Sequence, residues 1–242
     1  MLLLGLDSSG KTASAALFSD GAVLAEYTLN IGLTHSQTLL PMVTEIFSKT
    51  GKTPEELTAI AVSSGPGSFT GLRIGAATAK GLALAHGIPL VEVSTLRSLA
   101  WNIDKAFPGL VHPIMDARRQ QVYTGAFRAG EPAGEEEAVS IEDLVERLNR
   151  DLRGELHLFL GDAVPVYRDY LEEHLRVPHA YASAQNLLQR ASSAAALGAQ
   201  LYAQGDYVSG NAFSLSYLRK PQAEREREAQ GLRDFDIAHD KG

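Results

Sequence analysis

The chain has 242 residues, a formal net charge of −7, no cysteine, and an ordinary globular balance of 45% hydrophobic and 21% charged residues. At about 150 residues per domain it holds one or two domains, and the absence of cysteine excludes disulfides, thiolate metal sites and cysteine nucleophiles. The acidic balance argues against autonomous nucleic-acid binding, which needs a basic patch to neutralise phosphates, and the apolar start at residues 1–4 is too short for a signal peptide or membrane span. A soluble, cytoplasmic protein is expected. Leu2–Asp7 reads as a strand, and residues 12–18 and 23–29 as two more, joined by Asp20-Gly21, a strong hairpin signal. Residues 36–49 carry Leu39, Leu40, Val43, Ile46 and Phe47 at helical spacing, with Gly51 as the stop. A buried strand at 59–63 leads into the turn Gly65-Pro66-Gly67-Ser68-Phe69-Thr70-Gly71 and a long Ala/Gly-rich helix to about His86. A strand at 89–93 and a helix at 95–106 complete the order β-β-β-α-β-α-β-α.

The second half repeats that order. Strands are predicted at 111–116, at 121–128 and near Ala138, and a helix at 140–150 with Ser140 as N-cap and Asp143 three residues on. A strand at 156–160, a helix at 164–174, a strand at 177–181 and a helix at 185–204 follow. Two similar α/β lobes with a cleft between them are the natural architecture. This is the layout of the actin-like/Hsp70-like (ASKHA) fold, to which sugar kinases also belong. The expected division is an N-terminal lobe at 1–100, a C-terminal lobe at 101–218 whose helix 185–204 is placed to pack back on the first, and a charged tail at 219–242.

Several motifs have both a functional and a structural reading. Gly5-Leu6-Asp7-Ser8-Ser9-Gly10-Lys11-Thr12 spells a phosphate loop, but that loop needs a helix after it, and here a hairpin follows. The alternatives are a β-hairpin phosphate clip, with Asp7 at its mouth and Ser8 and Ser9 offering hydroxyls and amides, or a polar turn with no ligand. The Gly65–Gly71 turn, with Gly65, Gly67 and Ser68, is either an anion site at a helix N-terminus or tight packing of turn on helix. Helix 70–86 is apolar or small nearly all round, so its own sheet buries one face and either a partner or further core buries the other. Asp116 stands at the mouth of the second lobe as Asp7 does in the first. A phosphate hairpin there wants glycines, and Arg118 and Arg119, the only adjacent basic pair in the first 200 residues, add bulk and charge instead. Gly161-Asp162-Ala163 likewise replaces a paired-glycine adenosine turn. The seven histidines show no H-E-x-x-H spacing. The residues leave open an active actin-like ATPase or kinase using Asp7 and Asp116, and a metallopeptidase.

Leu6-Asp7-Ser8-Ser9, His35-Ser36 with Leu39-Leu40-Pro41, Ser64-Gly65-Pro66-Gly67-Ser68-Phe69-Thr70-Gly71-Leu72-Arg73-Ile74-Gly75, Ala79-Lys80-Gly81-Leu82, Ser94-Thr95-Leu96, Asp116-Ala117-Arg118 with Val122-Tyr123, Gly161-Asp162-Ala163 and Tyr217-Leu218-Arg219 occur in the order of the TsaB (YeaZ) family. The chain resembles that family over nearly its whole length. The resemblance implies a non-catalytic, actin-like subunit in bacterial synthesis of N6-threonylcarbamoyladenosine at position 37 of tRNAs that read codons starting with A. It implies a heterodimer with a TsaD-type paralogue that carries the nucleotide and metal site, with a TsaE-type P-loop ATPase as third member; a homodimer is expected of the chain alone, because its apolar helices would otherwise face water. No tightly bound cofactor is expected on this chain. ATP, Mg and a metal belong to its partners, and tRNA is met only through the complex. The dimer helices would be 36–49 and 70–86, giving Leu39, Leu40, Val43, Ile46, Phe47, Leu72, Arg73, Ala76, Ala79 and Lys80 as contact residues. Val43→Asp with Ala76→Asp is then expected to abolish partner binding and leave the fold intact. A remnant nucleotide or anion site would use Asp7, Ser8, Ser9, Gly65, Gly67, Ser68, Asp116 and Arg118.

Overall fold

The computed structural model describes residues 1–150 and 154–218, so the charged tail expected at 219–242 lies outside the described residues. The first half runs β1 (Leu2–Asp7), β2 (Ala13–Ser19), β3 (Ala22–Leu29), α1 (His35–Thr50), β4 (Ala59–Gly65), α2 (Phe69–His86), β5 (Leu90–Ser94) and α3 (Thr95–Ala100). The second runs β6 (Leu110–Arg118), β7 (Gln121–Thr124), the two-residue strands β8 (Phe127–Arg128) and β9 (Glu131–Pro132), β10 (Glu137–Ser140), α4 (Ile141–Asn149), β11 (His157–Leu160), α5 (Val164–His174), β12 (His179–Tyr181) and α6 (Ala191–Ala203).

The first sheet has the order β3-β2-β1-β4-β5, and the second contains the path β10-β7-β6-β11-β12. In each, an antiparallel meander is extended by two parallel strands. The repeat of letters-free pattern along the chain is therefore a repeat of topology. Alternation along β1 shows how its sheet is packed, because successive side chains leave opposite faces. Leu2, Leu4 and Leu6 join the core under α1 and α2, with Val43, Ile46, Ala76 and Ala79. Leu3 faces the other way, with Ala61, Val91, Ala195 and Leu197 beneath α6. The second sheet is likewise covered on both faces. Ile114, Val122 and Phe159 pack with α4 and α5, while Val111, Met115 and Phe127 pack with Leu96 and Leu99 of α3.

Helix α6 comes from the second half of the chain but lies on β1, β2 and β4 of the first sheet. Small residues let it lie flush. A Cβ on Gly5 would sit 2.3 Å from the Ala191 carbonyl oxygen, and one on Gly198 2.4 Å from Ala61 Cβ. Its N-terminus has no local side-chain cap, since Arg190 holds that position. The first sheet supplies the missing acceptors. Ala191 N donates to Ser14 Oγ at 2.9 Å, Ser192 N to Glu26 Oε1 at 2.9 Å, and Arg190 Nη2 to Glu26 Oε2 at 2.8 Å.

Burial alone would raise the Glu26 pKa, but the hydrogen bonds from Arg190 and Ser192 together hold it below the usual carboxylate value. A depressed folded-state pKa stabilises the fold above the unfolded pKa, and that contribution is lost as pH falls through the folded value. Glu26→Ala is expected to cost about 2 kcal/mol at pH 7. The gap between wild type and variant in chemical denaturation should shrink as pH is lowered below the ordinary carboxylate range. A gap independent of pH would show that the charge is not what matters.

Three sequence boundaries move. The helix expected at 95–106 ends at Ala100, and the strand expected at 121–128 breaks at Gly125, after which Phe127 pairs with Val111 of β6. The helix expected at 185–204 begins at Ala191, behind a 3-10 turn at Ala184–Asn186. The end of the described chain returns to the first sheet. Val208 bridges Leu90 on the β5 edge, Phe213 is buried under α2, and Ser216 N donates to Ser64 O at 2.8 Å.

Candidate functional site

Asp7 ends β1 and is fully buried. Its Oδ1 accepts from Ser9 N at 2.9 Å and Ser9 Oγ at 2.6 Å, and its Oδ2 from Ser63 Oγ at 2.6 Å. Burial raises its pKa despite these three donors. Ser8 Oγ donates to Gly71 O at 2.8 Å, and Ser68 N to Ser9 O at 2.7 Å. The start of α2 is thus seated directly on the β1–β2 turn. The glycines make that possible. A Cβ would meet Ser9 O at 2.4 Å from Gly67, Ser8 O at 2.0 Å from Gly71, and Ser8 Oγ at 2.5 Å from Gly75. Gly65 passes under the returning chain, where a Cβ would lie 2.0 Å from Ser216 O. Of the two readings of this turn, tight packing is the one the geometry supports.

Asp116 and Arg118 belong to the β6–β7 turn of the second sheet. Asp116 Oδ1 accepts from Arg118 N at 2.8 Å, and Asp116 N donates to Asp162 Oδ1 at 3.1 Å. Burial raises the Asp162 pKa, and Lys11 from the β1–β2 turn lies near enough to oppose the rise. Gly161, at φ 111°, lets the next turn pass within reach of β6, since a Cβ there would be 2.1 Å from Ile114 O. Arg118, Arg119 and Gln120 all adopt the left-handed region, at φ 66°, 54° and 60°. Each non-glycine residue there costs about 1–2 kcal/mol. The hairpin between β2 and β3 uses Asp20 and Gly21, at φ 48° and 86°, a pair that suits such a backbone.

These residues do not fit a Mg-nucleotide, the group this fold holds in its kinases. The first carboxylate is buried and held by three donors of its own chain, and the second turn presents arginines where backbone should approach phosphate. Among the described residues there is no group of three or more His, Cys, Asp or Glu side chains placed to hold a metal. Sequence spacing gave no hint of the buried pair His112 and His157, whose rings meet at 2.9 Å, Nε2 to Nδ1, on adjacent strands. Burial pushes the His112 pKa down to about 3, so it is neutral.

The candidate contact residues on α1 and α2 divide sharply. Leu39, Val43, Ile46, Leu72, Ala76 and Ala79 are buried in the chain's own core, which corrects six of the ten. The stripe at helical spacing is the face that seals the first sheet, so an Asp at Val43 or Ala76 would break the fold along with any contact. Leu40 is 52% exposed and Arg73 is exposed, while Phe47 and Lys80 are half-buried. Arg73 lies over the Phe69 ring at 3.8 Å, and Lys80 reaches towards Phe213 at 5.7 Å. Because α1 and α2 share one layer over the sheet, their outer sides face the same way. That outer surface carries Leu40, Pro41 and Thr44 from α1, with Arg73, Ala77 and Leu84 from α2. Pro41, Ala77 and Leu84 are exposed and stand off the apolar stripe.

Residues 23–226 match the family model described as TsaD: tRNA N6-adenosine threonylcarbamoyltransferase. A Bacillus subtilis (strain 168) protein, "tRNA threonylcarbamoyladenosine biosynthesis protein TsaB", is 36% identical over 202 residues, covering 82% of this chain and 87% of that one. YeaZ from Pseudomonas aeruginosa superimposes with a TM-score of 0.75 at 29% identity, covering 89% of this chain and 99% of that one. An inorganic polyphosphate/ATP-glucomannokinase from Arthrobacter sp. strain KM shares the fold, with a TM-score of 0.50 at 13% identity over 84% of this chain and 99% of that one. Sequence and fold therefore agree that the chain belongs to the TsaB (YeaZ) family.

Proposed function

We propose that this chain is the accessory, non-catalytic subunit of the complex that makes N6-threonylcarbamoyladenosine at position 37 of tRNAs reading codons that start with A. It pairs with a TsaD-type paralogue through the outer sides of α1 and α2, and a TsaE-type P-loop ATPase joins the pair. ATP, Mg and a metal sit on those partners, and the assembly works in the cytoplasm. Alone, the chain pairs with itself through the same helices, which would otherwise leave Leu40 and Leu84 in water.

One observation carries the non-catalytic part of this reading. The carboxylate that an ATPase would turn toward its Mg-nucleotide is buried and held by three donors from its own chain. A group so engaged supports the turn beneath α2 and is not poised for chemistry. The active-kinase alternative would need it free.

The test has two arms. Co-purification with a TsaD-type paralogue from the same organism should yield a stable pair, and tRNA modification by the partners should fall to background when this chain is left out. Calorimetry of the isolated chain with Mg-ATP should show no micromolar binding. A micromolar site lost in Asp7→Ala would turn the reading towards a kinase, and full modification without the chain would remove its role.

A further inference from the structure

The β6–β7 turn has a feature that packing does not explain. Arg118, Arg119 and Gln120 hold three successive left-handed conformations with no glycine or asparagine among them. Asn and Gly suit such a backbone far better, and the corresponding β1–β2 turn of the first sheet holds no left-handed residue. What the strained residues provide is a pair of adjacent cations held out from the surface. The Arg118 side chain is 87% exposed, with Asp116 Oδ2 at 3.6 Å as a loose counter-ion, and Arg119 is exposed with no ion pair among the described residues. Lys11, exposed at the tip of the β1–β2 turn, lies near Asp162, whose Oδ1 accepts from Asp116 N. Two turns, one from each sheet, thus bring three cations to one rim of an otherwise acidic chain with net charge −7.

We propose that the rim formed by Lys11, Arg118 and Arg119 binds backbone phosphates of the tRNA when the chain sits in its complex. This rests on the function proposed above. Exposed guanidinium groups match phosphate oxygens in a planar fork. An acidic subunit beside a tRNA also needs a local basic rim where the strand passes, since its remaining surface repels phosphate. A free nucleotide carries the same phosphate chemistry, so the test separates the two sources.

The complex of this chain with its TsaD-type and TsaE-type partners would be titrated with an unmodified tRNA transcript at several salt concentrations, and separately with Mg-ATP. Arg118→Gly with Arg119→Asn removes both cations and gives the turn residues that suit it. We expect tRNA affinity to fall about tenfold at 0.1 M salt and the log–log salt slope to become shallower by about 1.4–1.8. The isolated variant should melt roughly 2–4 °C higher, because the strain is relieved, and Mg-ATP affinity should not change. Arg118→Lys with Arg119→Lys keeps charge and strain but not the fork, and should retain the salt slope and the original melting temperature with a smaller loss of tRNA affinity. Unchanged tRNA affinity and slope in an assembled Gly/Asn complex would overturn the proposal while leaving the proposed function standing. Loss of Mg-ATP affinity alone would also overturn it and assign the rim to a nucleotide. If the unaltered chain forms no complex, that failure overturns the functional reading and this inference with it.

Discussion

Gly71→Ala should lower the melting temperature by about 6–12 °C. The new Cβ would lie 2.0 Å from Ser8 O and 3.2 Å from Ser8 C. Both atoms are backbone, and neither can swing aside. Ser8 is pinned from the other direction, because its hydroxyl donates to Gly71 O and its neighbour Asp7 is tied to Ser9 and Ser63. The methyl therefore forces α2 and the β1–β2 turn apart, and overpacking of this kind costs about 3 kcal/mol, which corresponds to about 2–4 °C per kcal/mol in a chain of this size. Gly81→Ala provides the contrast. It lies in the same helix, is exposed, and has nothing within 4 Å of an added Cβ, so it should stabilise by about 1 kcal/mol. Thermal melts of the two variants beside the parent decide the matter. Similar shifts in both would mean that helix propensity, not the seat of α2, controls the outcome.

Leu40→Asp with Ala77→Asp should weaken binding to the TsaD-type paralogue at least 100-fold and change the melting temperature by no more than about 2 °C. Both positions are exposed, one on each helix of the outer layer. Burying an unpaired carboxylate at an apolar contact costs about 2 kcal/mol or more at each central site, whereas a surface substitution stays within about 0.5 kcal/mol. The same pair of changes should convert a homodimer into a monomer, measured by sedimentation. Val43→Asp, on the same helix but 2% exposed, should unfold the chain instead. If the Leu40/Ala77 variant still binds its paralogue with unchanged affinity, the partner face lies elsewhere on the molecule.

Local signals were legible in the sequence where the neighbours that decide structure are close in the chain. Asp20-Gly21 announced its hairpin, Ser140 caps α4 by accepting from Asp143 N, and Gly51 and Gly87 end α1 and α2 in the left-handed conformation. Where the deciding neighbour is distant, the reading failed. The start of α6 was placed six residues too early because its caps, Ser14 and Glu26, belong to the other end of the chain. Six of the contact candidates lie in the chain's own core for a related reason. An apolar stripe locates the side of a helix that will be buried, but not whether a sheet or another chain does the burying, and here Leu39, Val43 and Ile46 went to the sheet. The glycine-rich turn was found from its letters, while its purpose depended on Ser8 and Ser9, more than fifty residues upstream.

The position of α6 also governs how the protein is made. The sheet of β1 to β5 exists in sequence by Ser94, but Leu3, Ala59, Ala61, Val91 and Val93 are covered only when Ala191–Ala203 arrives. At about 5–20 residues per second, the ribosome needs roughly 5–20 s to travel from Ser94 to Ala191. During that interval the nascent chain carries a nearly complete sheet with one greasy, alanine-lined side open. The N-terminal half is thus synthesised first and finished last.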